Sequence, residues 1–211
     1  MSFSSLGLDS SLLDNLTRLG YVEPTQVQRE AIPAALAGGD LLVSSQTGSG
    51  KTAAFVLPGL QRLRTPAGRP GKGPRMLVLE PTRELAMQVQ KAIHGYCRGQ
   101  NLLTTLLVGG MPFGKQLDQV RKHVDVAIAT PGRLKDHLDP GSMDLNRVEL
   151  LVLDEADRML DMGFQEERAA ILARAAKERQ TLLSSASLHG VVGRLAGRVT
   201  RNPVRIEVAK K

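Results

Sequence analysis

The chain has 211 residues, enough for one domain that buries most of its unfolded surface without cross-links. Its composition, 42% hydrophobic and 23% charged, is that of a soluble α/β protein, and the single cysteine, Cys97, excludes an internal disulfide framework or a zinc cluster built on cysteines. The formal net charge of +7 suits a polyanionic partner, because every phosphate that a cation neutralises releases counterions.

No apolar run reaches the roughly 18 residues of a membrane span, and no basic-then-apolar leader opens the chain. The expectation is therefore a reducing cytoplasm and no membrane partner. In chain order, a helical pattern over Gln26–Leu36 precedes the apolar run Leu41–Ser45. A helix over Thr52–Leu63 leads to the run Met76–Leu79, and a helix over Glu84–Tyr96 to the run Thr104–Val108. A helix over Gly114–Lys122 is followed by the runs Val124–Ala129 and Leu150–Asp154. The helix Gln165–Ala176 and the runs Thr181–Ser185 and Val204–Val208 complete the pattern. Most of these short runs lack polar alternation, as expected of strands buried on both faces. Strand–helix–strand repetition predicts βαβ units, a mostly parallel sheet and helices on both faces. Ligands of such sheets bind at the carboxyl ends of the strands. The stretch Arg64–Arg75, rich in Gly, Pro and basic residues, reads as a solvated loop, and Ala209-Lys210-Lys211 as a frayed tail.

Two of those carboxyl ends carry chemistry. After Leu41-Leu42-Val43 comes SSQTGSGKT, Ser44 to Thr52, between a strand and a helix. Gly48 and Gly50 let the backbone of Gln46, Thr47, Gly48, Ser49 and Gly50 turn its N–H groups toward one point, at which the following helix also aims its positive end. Lys51 can reach β- and γ-phosphates, and the Thr52 hydroxyl can bind Mg²⁺. Ser45 stands where the usual phosphate-loop pattern has its first glycine. The second site is LLVLDEAD, Leu150 to Asp157, an apolar run ending in carboxylates. Asp154 is placed to hold Mg²⁺ through water, and Glu155 to orient and deprotonate an attacking water.

With these residues the sequence resembles the DEAD-box ATP-dependent RNA helicases of superfamily 2, of bacterial type, and specifically their N-terminal RecA-like domain. The resemblance runs from Phe3 to about Val208 and implies a RecA-like P-loop fold over residues 1–208. GYVEPTQVQ, Gly20 to Gln28, resembles the family's Q motif, with Phe3 at the position of an isolated upstream aromatic. By resemblance Gln28 hydrogen-bonds adenine, Phe3 packs on the base, and Tyr21 and Thr25 belong to the same nucleotide site. PTRELAMQ, Pro81 to Gln88, resembles motif Ia, while Gly109-Gly110 and TPGR, Thr130 to Arg133, resemble the next two RNA-contacting motifs. Pro81, Thr82, Arg83, Gly109, Gly110, Thr130, Pro131, Gly132 and Arg133 are thereby implied to contact the RNA sugar–phosphate backbone. Such contacts position a strand without reading its bases. SAS, Ser185-Ala186-Ser187, stands in place of the family's S-A-T, and by resemblance it bonds Asp157 and couples hydrolysis to RNA handling.

The resemblance implies ATP or ADP and Mg²⁺ as cofactors, catalysis by Lys51, Asp154 and Glu155, and unwinding of short RNA duplexes in RNA metabolism or ribosome assembly. It also implies a second RecA-like domain carrying an arginine finger and half of the RNA groove, which residues 1–208 do not encode. The isolated chain is expected to be monomeric and nearly inactive. The alternatives are a nucleotide-binding module without turnover, a motor acting on DNA, and a small-molecule kinase with the same phosphate loop.

Overall fold

The computed structural model describes residues 2–46 and 48–208, so Thr47 of the expected phosphate loop and the tail Ala209-Lys210-Lys211 lie outside the described residues. Seven strands form one sheet: β1 (Leu41–Ser44), β2 (Met76–Leu79), β3 (Thr104–Leu107), β4 (Val126–Ala129), β5 (Leu150–Leu153), β6 (Gln180–Ser185) and β7 (Val204–Glu207). Their order is β3-β4-β2-β5-β6-β1-β7, and every pairing is parallel. All seven coincide with the runs expected from hydrophobic pattern, to within two residues at each end.

The helices are α1 (Ser10–Arg18), α2 (Gln26–Leu36), α3 (Lys51–Arg62), α4 (Arg83–Tyr96), α5 (Phe113–Val120), α6 (Pro131–Leu138), α7 (Ala156–Asp161), α8 (Gln165–Arg174) and α9 (Gly190–Val199). Strand residues alternate between two cores, and both are apolar. Leu41, Val43, Met76, Val78, Leu150 and Val152 face one cluster with residues of α1 to α4. Leu42, Leu77, Leu79, Leu151, Leu153 and Leu183 face the other, with residues of α5 to α9. Burial on both sides explains the unbroken apolar runs, since a strand with one wet face would show polar alternation.

Four helices, α1, α6, α7 and α9, were not expected from the pattern. TPGR carries a proline and a glycine, yet Pro131 occupies the first helical position of α6, where its missing N–H is harmless and its fixed φ suits the helix. In α9, glycines depress helix propensity, but Gly193 has a packing reason: a Cβ there would lie 2.6 Å from the Leu188 carbonyl oxygen. Gly59 in α3 is similar. Its Cβ would meet Met76 and Leu150 at 2.6–2.7 Å, so the helix lies directly on β2 and β5. Cys97 is buried and its thiol is pushed up to about 11, chiefly by burial, which leaves it inert.

Candidate nucleotide-binding site

Because β6 lies between β5 and β1, the loops leaving these three strands meet at one point of the carboxyl edge. Ser45 N donates to Ser185 O at 3.2 Å, which ties the base of the glycine loop to the end of β6. Gly50 then caps α3 in the left-handed region, φ 86°, and no side chain caps the helix or places a carboxylate in its first turn. The positive end of α3 is thus uncompensated by its own sequence. The buried hydroxyls of Ser45 and Ser49 have no hydrogen-bond partner among the described residues. Two unpaired hydroxyls beside an uncapped helix start fit an oxyanion, which would satisfy both.

Lys51 Nζ lies 3.4 Å from Asp154 Oδ1 and 3.6 Å from Glu155 Oε1, with all three side chains nearly buried. Glu155 adopts φ 50°, ψ 53°, a left-handed backbone that costs a non-glycine residue about 1–3 kcal/mol unless its surroundings hold it. The hold is visible. Glu155 N donates to Ser184 Oγ at 3.0 Å, and the same hydroxyl donates to Asp154 Oδ1. One serine of β6 therefore fixes the Asp154 carboxylate and the backbone of Glu155, and hydrophobic pattern gave no sign of it because Ser184 sits inside an otherwise ordinary buried strand. The second oxygen of Glu155 is buried without a hydrogen bond, although Arg158 approaches it at 3.8 Å.

A third acid, Glu80 at the end of β2, was also not expected. It is fully buried and neither carboxylate oxygen has a hydrogen-bond partner among the described residues. Burial, and then the charges of Asp154 and Glu155, raise its pKa well above the usual carboxylate range, so it is held toward the neutral form. Glu80 lines a cavity of about 400 Å³ with Lys51, Thr52, Asp154 and Glu155. A second cavity, of about 440 Å³, reaches the same Lys51 and Glu155 from the side of Ser45, Gln46, Asp157 and Ala186. Among the described residues no three His, Cys, Asp or Glu side chains come close enough to enclose a bare ion. The donor set, a threonine hydroxyl and carboxylates around a cavity, fits a hydrated Mg²⁺ that keeps most of its waters.

The Q-motif segment touches this site through its cap. Thr25 caps α2 in a capping box: its side chain accepts from Gln28 N, and Gln28 Oε1 accepts from Thr25 N at 2.9 Å. Gln28 Nε2 donates to Gly50 O at 3.2 Å, so the amide links the start of α2 to the start of α3. Approach is close enough that a Cβ on Gly50 would sit 2.6 Å from Gln28 Nε2 and 2.8 Å from Thr25 Oγ1. Tyr21 lines the smaller cavity, and its hydroxyl pairs with that of Tyr96 at 2.7 Å. Phe3 is buried in the core edge-on to Tyr21, at 5.9 Å between centroids, and lines neither cavity.

The expected RNA-contacting residues gather on the other half of the same edge, after β2, β3 and β4. Thr82 caps α4, accepting from Leu85 N at 3.3 Å, with Pro81 buried before it and Arg83 exposed after it. Gly109 and Gly110 are exposed, and a Cβ on Gly110 would meet Arg83 Nη1 at 2.6 Å, so these two segments touch. Thr130, Pro131 and Gly132 start α6. Arg133 is engaged within the chain: it donates to Met111 O at 2.7 Å and Gln116 Oε1 at 3.0 Å. On the coupling side, Ala186 N donates to Asp157 Oδ2 at 3.4 Å, and Ser185 and Ser187 bond locally.

A glycine loop leading into a helix start, strand-end carboxylates across one intervening strand and a parallel doubly wound sheet define a RecA-like P-loop domain. The chain belongs to the DEAD/DEAH box helicase family, which it matches over residues 25–195. It is 41% identical over 208 residues to an ATP-dependent RNA helicase, DBP2, of Mycosarcoma maydis, covering 98% of this chain and 38% of that protein. It is 43% identical to the ATP-dependent RNA helicase DeaD of Buchnera aphidicola, covering 98% of this chain and 34% of that one. A DEAD box protein from the hyperthermophile Methanococcus jannaschii has the same fold, with a TM-score of 0.90 and 32% identity over 98% of this chain and 56% of its own. The chain thus spans roughly a third to two fifths of these two curated relatives.

Proposed function

We propose that the chain is the ATP- and Mg²⁺-binding half of an RNA-dependent ATPase that separates short RNA duplexes. The observation that carries this reading is the buried cluster of Lys51, Asp154 and Glu155 beside an uncapped helix start with two unpaired hydroxyls. Buried charges persist where they have a task or a partner, and here the partner is a phosphate chain. The α3 amides and Lys51 hold its terminal phosphates. Thr52 and Asp154 would hold a hydrated Mg²⁺, which would supply neutralisation of the phosphate charge. Glu155, aimed by its left-handed backbone and by Ser184, orients a water and accepts its proton. Gln28 and Tyr21 favour adenine, since beyond its bonds to Thr25 N and Gly50 O the Gln28 amide retains one N–H and one lone pair to offer that base.

RNA is held by backbone contacts at Arg83, Gly109, Gly110 and the start of α6, without base readout. Ala186 and Asp157 join that half to the hydrolytic half. The γ-phosphate charge is completed by an arginine from a second RecA-like domain, a contribution of about 10³–10⁵ in rate, so this chain alone turns over ATP slowly and acts as a monomer. Titration calorimetry tests the reading: ADP with Mg²⁺ binds more tightly than GDP, and Lys51→Ala weakens ATP by about 2 kcal/mol or more, the size of a charge-assisted bond. Equal affinity of the altered and unaltered chains for ATP would remove the assignment.

A further inference from the structure

We propose that the chain carries a second anion site, for a small polyphosphate, in the cavity between α8 and α9 at the amino edge of the sheet. That cavity, about 480 Å³, is bounded by Asp40 ahead of β1, by Arg179 and Thr181 at β6, by Arg168 on α8, by Arg198 on α9, and by Arg201 ahead of β7. β1 and β6 begin here and end at the nucleotide site, so a strand length of roughly 15 Å separates the two.

Charge is the first argument. Five cationic side chains, those above with Lys177, line the cavity against one carboxylate, Asp40. Asp40 is already committed: its two oxygens accept from Thr181 N at 2.8 Å and Arg201 N at 2.7 Å. It therefore serves the backbone of β6 and of the turn before β7, and forms no ion pair with the arginines.

The second argument is Arg168. It is buried, and its Nη1 has no hydrogen-bond partner among the described residues. Burial and the neighbouring charge of Arg198 both press its pKa down. A buried guanidinium normally meets a carboxylate or several carbonyls, because leaving it unpaired is costly. Arg179 shows the ordinary solution next door, donating to Thr181 Oγ1 and the Ala176 carbonyl. Arg168 has no such arrangement, and an oxyanion entering the cavity would supply one.

Guanidinium forks match phosphate oxygens two at a time, which favours phosphate over a spherical anion. The number of cations and the volume exceed what a single phosphate needs. Apolar side chains, Leu172 and Leu195, form part of the wall and lower the local dielectric, which strengthens the field on a small ligand. An RNA strand fits less well, because the segments expected to hold RNA leave the opposite ends of the strands.

Side-chain NMR of ¹⁵N-labelled arginine tests the site, with tripolyphosphate as the probe and sulfate as the control at constant ionic strength. Lys51→Ala is the background, so that the glycine loop does not capture the probe. The expected result is a saturable shift of Nε–Hε resonances, including that of Arg179, at tripolyphosphate concentrations at least tenfold below those of sulfate. Arg168→Met should weaken it at least tenfold while the chain stays folded, and Arg198→Gln provides the same test should Arg168→Met not fold. A titration that never saturates, or one unaffected by both substitutions, would overturn the proposal. So would tighter binding of a single-stranded RNA at the same resonances, which would make this an RNA surface.

Discussion

Around β5, β6 and β1 the polar groups at the sheet's carboxyl edge are buried and short of partners among the described residues: Ser45, Ser49, the second oxygen of Glu155 and, reaching in from the end of β2, Glu80. In the segments expected to hold RNA, after β3, β4 and β2, they are exposed or already bonded, as Arg83 is exposed and Arg133 is tied to Met111 and Gln116. The difference is the one expected if the two halves take the two ligands proposed for them. A nucleotide enters a pocket and displaces much of the water there, so donors and acceptors wait in place, at a cost to stability. An RNA backbone lies across a surface, where water satisfies the side chains until the strand arrives and each contact is individually weak.

The sharpest way to break this contrast is Glu155→Gln. In a longer chain that contains a second RecA-like domain, nucleotide should still bind while hydrolysis falls by about 10²–10⁴, the range for a lost general base. Single-turnover phosphate release measures it, and unchanged turnover would mean that Glu155 is not the base. Next in size is Gly50→Ala. Its left-handed φ alone should cost about 1–2 kcal/mol, and the new methyl group must push the Gln28 amide off the Gly50 carbonyl. Denaturant unfolding and ADP titration should therefore both report a loss, whereas a loss in stability alone would separate the Q motif from the phosphate loop.

Glu80→Gln probes the strain stored in the nucleotide half. A carboxyl whose folded pKa is raised makes the folded state bind the extra proton, so stability is lost as pH rises from the unfolded value near 4.5 toward the folded one. Glutamine has no such proton. In chelator-treated protein the variant should therefore gain melting temperature over the parent increasingly as pH rises above the unfolded value. An offset that does not change with pH would place the effect in packing. The smallest effect belongs to the exposed half: Arg83→Ala should weaken RNA uniformly across sequences and reduce the salt slope by about one counterion, with little change in stability. A sequence-dependent loss would contradict backbone recognition.

Much of this was legible because burial on both faces leaves a plain mark. The runs at Leu41, Met76 and Leu150 could be little else than interior parallel strands, and the loops after them had to meet at one edge. What escaped was set by neighbours far away in sequence. Glu80 looks like the end of any strand, and its burial arises only because β2 lies beside β5 and hence beside Asp154. Ser184 looks like filler until β6 is placed between two loops. The helices α6 and α9 were hidden by proline and glycine, residues whose local preference was overruled by a first-turn position in one case and by close packing on Leu188 in the other.

The strand order also sets a timetable. Met76 of β2 pairs with Val126, within the middle of the chain, whereas Leu41 of β1 pairs with Leu182 and Val204. Loops that long are slow to close, and a chain emerging from the ribosome folds what it already has. The strands β2, β3 and β4 can therefore assemble while β1 still waits for its neighbours, and the glycine loop gains its floor only after β6 and β7 have been made. Until then the newborn chain has the segments proposed to hold RNA but not the pocket proposed to hydrolyse ATP.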